Sequence, residues 1–115
     1  MMLVGDTMYI KLNKQNIEVK NAKDFKTRLI GFMGQKDIKT GILFPNCKAI
    51  HTFFMKEEID VLGLDDNYQV LYIYRSVPKN KIVKISSTQK KTHILELPKN
   101  ASKGLVIGSI LHFKE

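Results

Sequence analysis

The sequence predicts a single α+β domain that is mainly β and carries one amphipathic helix. The chain has 115 residues, enough for one hydrophobic core and too few for two. Along most of the chain apolar residues alternate with polar ones, which is the period of a β-strand. Only residues 23–34 show the helical period. We therefore expect one domain over residues 1–115.

The predicted strands begin with a hairpin. Residues 8–12 and 17–20 alternate in polarity on either side of Asn13, Lys14, Gln15 and Asn16, which suit a turn. Asp65, Asp66 and Asn67 supply the turn chemistry of a second tight hairpin. The other predicted strands cover residues 41–44, 49–55, 59–64, 69–77, 82–85, 93–97 and 106–113.

The predicted helix spans residue 23 to about residue 34. Asn21 is a suitable N-cap and Gly34 can end the helix. Its apolar stripe consists of Phe25, Leu29, Phe32 and Met33. Arg28 lies along this stripe and not opposite it, so we expect its guanidinium to have an acidic partner.

The charge balance bears on possible partners. The formal net charge is +8, which attracts nucleic acid or anionic surfaces. Seventeen of the nineteen basic residues are lysine, whereas phosphate and guanine recognition favours arginine. Residues 57–68 also carry five acidic side chains and no basic one. Non-specific nucleic-acid binding through the basic surface is therefore the third-ranked function.

Several classes of protein are excluded or disfavoured. Cys47 is the only cysteine, which excludes an internal disulfide framework and any site that needs several thiolates. No apolar run approaches the roughly 20 residues that span a bilayer. The first residues lack the features of a signal peptide, so the expected location is cytoplasmic.

Cys47, His51 and Met55 carry metal-binding groups at four-residue intervals. On the strand predicted for residues 49–55, residues four apart are roughly 13 Å apart, too far for one metal ion to bridge. We therefore predict no metal site and no cofactor. The ordinary interpretation is a core strand with a hydrogen-bonded histidine.

Two acids lie on apolar surfaces. Asp60 shares its strand face with Leu62 and Leu64, and Glu96 shares its face with Ile94. An unpaired buried charge is costly, so we expect at least one acid to pair with Arg28, His51 or Lys56. Such a pair is either a structural link between helix and sheet or part of a polar cleft.

The order of several short motifs resembles the domain of unknown function 192 family. They are Arg28 to Met33, Gly41 to Phe44, His51 to Lys56, Ile59 to Val61, Leu95 to Pro98, and Ile107 with Gly108. The similarity covers roughly residues 18–113. It implies a curved, mainly antiparallel, β-barrel-like sheet with a helix packed on it, and no established activity. Glu57 and Glu58 stand where related sequences tend to have an apolar residue and proline.

The sequence favours a binding or accessory module that takes a small ligand or a protein in a polar cleft. The candidate cleft residues are Arg28, His51, Lys56, Asp60 and Glu96. The alternative is an enzyme that uses Asp60 or Glu96 as general acid or base, although familiar catalytic motifs are absent. The sequence leaves the ligand and the oligomeric state open.

Overall fold

The structure is a computed structural model that describes residues 7–22, 31–86 and 91–114. These residues contain nine β-strands and no helix. The strands are β1 (Thr7–Leu12), β2 (Gln15–Asn21), β3 (Gly41–Phe44), β4 (Ala49–His51), β5 (Ile59–Asp65), β6 (Val70–Val77), β7 (Ile82–Lys84), β8 (Thr92–Pro98) and β9 (Phe113–Lys114).

The predicted fold class, α+β with a helix on a barrel-like sheet, is wrong. The described part of the chain is all-β, and residues 31–34 of the predicted helix form a turn. Gly31 and Gly34 have φ angles of +50° and +75° there, which a right-handed helix does not allow. Residues 23–30 lie outside the described residues. No helix in the described ranges could cross a bilayer.

The main sheet is open and not closed into a barrel. Its strand order is β6-β5-β8-β3-β2-β1-β9, so β6 and β9 are its edges. All neighbouring strands are antiparallel except β2 and β3, which are parallel. The C-terminal segment meets the start of β6 without forming a strand there, through an isolated bridge between Gln69 and Ile110 and backbone hydrogen bonds around it.

Both predicted hairpins are confirmed. Asn13 and Lys14 have φ angles of 51° and 65°, the left-handed pair that a two-residue type I′ turn requires. At the second hairpin, Asp65 Oδ1 accepts hydrogen bonds from the backbone N–H groups of Asn67 at 2.8 Å and Gln69 at 2.9 Å. The aspartate side chain therefore fixes the turn between β5 and β6.

The strand predicted over residues 49–55 is observed only in its first three residues, because β4 ends at His51. It pairs with β7 in a separate two-stranded sheet. The buried Thr52 then turns the chain: its hydroxyl donates to the Pro78 carbonyl at 2.7 Å and accepts from the Lys81 N–H at 2.9 Å. Phe54 has a φ of 63°, which is incompatible with a continuing strand.

The main sheet is packed on both faces. Every residue of β5 is buried, and so is every residue of β8 except Pro98. The first core cluster consists of Ala22, Phe32, Ile42, Phe44, Ile50, Met55, Ile59, Val61, Val77, Val83, Ile85 and Ile94. The second core cluster consists of Ile10, Leu12, Ile17, Val19, Leu43, Leu62, Leu64, Val70, Leu95, Leu97 and Leu111. Successive side chains on a strand point to opposite faces, so the two clusters cover the two faces.

Candidate functional site

Glu96 lies in the middle of β8, on the sheet face covered by the first core cluster. Its register partners are Ile42 on β3 and Val61 on β5. Residues directly opposite each other on paired strands share a face. The glutamate therefore stands in an apolar row, with Ile42 on one side and Val61 on the other.

The Glu96 carboxyl group is almost completely buried. The residue is 4% exposed, and among the described residues no donor is within hydrogen-bond distance of Oε1. Burial raises the pKa of the carboxyl to about 8, because the charged form loses its hydration. The group is therefore mostly protonated at neutral pH.

The Glu96 side chain lines a cavity of about 280 Å³. Apolar side chains form most of its wall, and two titratable side chains, Cys47 and His51, also line it. The described lining residues are Gly31, Phe32, Met33, Phe44, Cys47, Ala49, Ile50, His51, Met55 and Glu96. We call this space the Glu96 cavity.

Two turns form one side of the Glu96 cavity. The turn at residues 31–34 is linked to the chain after β4 by a hydrogen bond of 2.9 Å from the Gly34 N–H to the Phe54 carbonyl. A Cβ atom at Gly31 would lie 3.4 Å from Glu96 Oε1 and 3.6 Å from the Phe44 ring. The backbone of the turn therefore lies close to the carboxyl group, and Gly31 both fits the space and adopts its positive φ.

His51 is half-buried at the end of β4. Its Nδ1 accepts a hydrogen bond of 3.2 Å from the Phe53 N–H, and its ring stacks on Phe53 with 5.0 Å between ring centroids. Because Nδ1 is an acceptor, a neutral His51 carries its proton on Nε2. The Cys47 thiol donates to the Ala49 carbonyl at 3.1 Å.

Asp60 stands on the opposite face of the sheet from Glu96. Its register partner on β8 is Leu97, which belongs to the second core cluster. Oδ1 accepts from the Ser76 N–H at 2.9 Å, and Oδ2 accepts from the Ser102 N–H at 3.0 Å and the Ser102 hydroxyl at 2.5 Å. These hydrogen bonds hold the turn around Ser102 against a bulge at Ser76, which gives Asp60 a structural role.

The structure brings together two of the five predicted cleft residues, His51 and Glu96. Asp60 is separated from them by the sheet, and Lys56 is exposed on the connection between β4 and β5. Arg28 lies outside the described residues, so its ion pair with Asp60 or Glu96 stays a prediction.

The chain that carries Cys47, His51 and Met55 is not the extended strand on which their separation was predicted. Because β4 ends at His51 and the chain turns at Phe54, all three side chains line the Glu96 cavity. The predicted strand is therefore wrong beyond His51. No group of three or more His, Cys, Asp or Glu side chains in the described residues is placed to hold a metal ion.

The sequence matches the family model described as "Uncharacterized ACR", DUF192, over residues 8–113. The chain belongs to the DUF192 family. The resemblance carried by the short motifs is thereby confirmed. No curated protein matches this DUF192 sequence significantly.

Two crystal structures share the DUF192 fold seen here. A protein of unknown function from Novosphingobium aromaticivorans has a TM-score of 0.69 at 11% identity, covering 92% of this chain and 83% of that chain. A Sinorhizobium meliloti protein described as a "putative transcription regulator" has a TM-score of 0.71 at 16% identity, covering 93% and 92%. At these identities the likeness concerns the fold.

The carboxylate of Glu57 holds a loop of this DUF192 chain in place. It accepts hydrogen bonds from the N–H groups of Asp37 at 2.8 Å and Ile38 at 3.1 Å. These bonds hold the pKa of the Glu57 carboxyl below its usual value. They fix the loop that leads from the turn at residues 31–34 into β3.

Proposed function

We propose that this DUF192 domain is a binding module that holds a small ligand in the Glu96 cavity. The observation that carries the proposal is a buried carboxyl group in the wall of a cavity of about 280 Å³, with one oxygen that has no hydrogen-bond partner among the described residues. Buried polar atoms are nearly always hydrogen-bonded, so an exception next to a cavity points to a missing partner. A ligand with one suitable polar group would supply it.

The cavity favours a small molecule over a protein segment. Its volume is near the lower end of the range of roughly 300–1,000 Å³ for small-molecule sites. Six of its ten described lining residues have apolar side chains, and the polar groups of Cys47, His51 and Glu96 lie among them. This combination is typical of sites where shape supplies affinity and one or two polar groups set orientation.

Titration of a set of neutral, cationic and anionic fragments tests the proposal. We expect amide chemical-shift changes grouped on Gly31, Cys47, His51, Met55 and Glu96. Ala49→Trp, at an exposed position of the cavity wall, should abolish them. Tyr9→Trp places the same ring at an exposed site on β1 and should leave them intact. Changes that survive Ala49→Trp, or no changes at all, would refute the proposal.

The second candidate is an enzyme in which Glu96 acts as general acid or base. A pKa of about 8 suits proton transfer near neutral pH. Asp60 is the weaker candidate for this role, because three hydrogen bonds already occupy its carboxylate. A ligand from the fragment set that is chemically altered by the wild-type protein but not by Glu96→Gln would favour this function.

A further inference from the structure

We propose that the Glu96 cavity selects a small organic ammonium compound, whose positive head pairs with the Glu96 carboxylate while its apolar body packs on Phe32, Phe44 and Met55. This inference rests on the proposed function and specifies its ligand class.

The charges in the cavity favour a cation. Glu96 is the one acidic side chain among the described lining residues, and they include no lysine or arginine. Its Oε1 has no donor within reach among the described residues, and an ammonium group carries up to three donors. A buried carboxylate without a counter-charge carries a large desolvation cost, and a hydrogen-bonded ammonium group offsets that cost.

The walls suit an apolar body attached to that head. Phe32, Phe44 and Met55 are 2%, 3% and 5% exposed and contribute aromatic and thioether surface to the cavity. Aromatic faces attract cations, and more strongly where the cation has lost its water. The volume of about 280 Å³ suits a compound about the size of one substituted ring, near the small end of known sites.

The dependence of binding on pH distinguishes an ammonium ligand from an anionic one. Glu96 must lose its proton to pair with a cation, so the affinity for an amine should rise as the pH rises toward about 8, the pKa of the carboxyl. An anion would instead accept a hydrogen bond from the protonated carboxyl, and its affinity should fall over the same range. His51 and Cys47 are the other titratable described groups that line the cavity, so the profile must be compared with that of Glu96→Gln.

Three probes of the same shape and different charge test the ligand class: benzylamine, benzyl alcohol and benzoate. Binding to the full chain is measured by amide chemical shifts from pH 6 to pH 9, with Glu96→Gln as the test variant. Glu18→Gln on β2 removes the same charge away from the cavity and serves as the matched control. We expect benzylamine to bind at least tenfold more tightly than the other probes, and to lose this preference and its pH profile only in Glu96→Gln.

The other possible results separate the ligand class from the binding function. If benzyl alcohol or benzoate binds in the cavity as well as benzylamine does, the ammonium inference is refuted and the proposed binding function stands. If no probe and no other fragment binds there, the proposed function fails as well. If benzylamine binds Arg28→Met but not the wild-type protein, the arginine side chain is the partner of Glu96 and the inference is wrong. The comparison among probes needs only the wild-type protein, so it holds even if Glu96→Gln does not fold.

Discussion

Asp60 and Glu96 stand on adjacent strands of one sheet but point to opposite faces. The register pairs Asp60 with Leu97 and Glu96 with Val61. Paired residues share a face, and Leu97 and Val61 directly follow Glu96 and Asp60 in their strands, so the two acids lie on opposite faces. The sheet between them prevents both carboxyl groups from contacting one ligand. Their surroundings differ as well, because Asp60 accepts three hydrogen bonds while Glu96 Oε1 has no partner among the described residues.

Asp60→Asn should lower the free energy of unfolding by about 3 kcal/mol, because the new amide group would oppose the N–H donor of Ser76 or of Ser102. Urea denaturation measures the loss. Benzylamine binding to the folded variant should be unchanged, since Asp60 lies on the other face of the sheet. A loss below about 1 kcal/mol would show that these hydrogen bonds do not hold the turn in place.

Glu96 should make stability depend on pH. Its pKa is about 8 in the folded protein and 4.5 as the ordinary value, so the folded state binds more protons between these two values. The contribution of Glu96 to stability is therefore largest below about pH 4.5 and falls as the pH rises to about 8. The decrease from this group is at most about 5 kcal/mol.

Unfolding free energies of the wild-type protein and of Glu96→Gln, measured between pH 4.5 and pH 9, check this expectation. The wild-type curve should fall relative to that of Glu96→Gln, and Glu18→Gln should follow the wild-type curve. Parallel curves for the wild type and Glu96→Gln would mean that burial does not raise the pKa of the Glu96 carboxyl.

Gly63→Ala should destabilise the protein by about 1–3 kcal/mol, the usual cost of inserting a methyl group into a packed core. A Cβ at Gly63 would lie 2.6 Å from Ile85 Cδ1 and 2.9 Å from Ile85 Cγ1. Because Ile85→Val removes the Cδ1 atom, the double variant should be less destabilised than the sum of the two single variants. Additive losses in denaturant unfolding would contradict this account.

No stoichiometric transition metal should copurify with the protein, although Cys47, His51 and Met55 line one cavity. Two of the three groups are already engaged by nearby backbone, since the Cys47 thiol donates to the Ala49 carbonyl and His51 Nδ1 accepts from the Phe53 N–H. Elemental analysis of protein purified without added metal checks the prediction. One equivalent of metal in the wild-type protein that is lost in His51→Ala would overturn it.

The strands were predictable because their signals are local. Alternation located β1, β2, β3, β5, β6, β7 and β8, and Asn13 with Lys14 marked the first turn. The strand predicted over residues 106–113 is wrong, because only its last residue lies in a strand, β9. The end of β4 was not predictable, because Thr52 is held by bonds to Pro78 and Lys81, residues far away in the sequence. The helix prediction is wrong at residues 31–34, where two glycines with positive φ lie in a turn.

The candidate site was predictable only in part, for a related reason. Local alternation correctly grouped Asp60 with Leu62 and Glu96 with Ile94, as the two core clusters confirm. Whether the two acids share a face depends on the register between β5 and β8, which alternation within each strand does not encode. The contribution of Phe32 and Phe44 to the cavity likewise depends on contacts between distant segments.

Any affinity for DNA or RNA should be weak, independent of sequence and abolished by moderate salt. The basic excess consists almost entirely of lysines, which act on phosphates mainly through release of counterions. The acidic segment at residues 57–68 opposes phosphate less than its five carboxylates suggest, because Asp60 is 0% and Asp65 7% exposed. Glu58 and Asp66, with side chains 42% and 66% exposed, remain to repel it.

Titrating two unrelated duplexes and one single strand at low and near-physiological ionic strength checks this expectation. The logarithm of the binding constant should fall steeply with the logarithm of the salt concentration and to the same extent for both duplexes, because backbone contacts carry no sequence information. A preference for one duplex that persists at roughly 0.2 M salt would require contacts to the bases. That result would rank nucleic-acid recognition above small-ligand binding as the function of this domain.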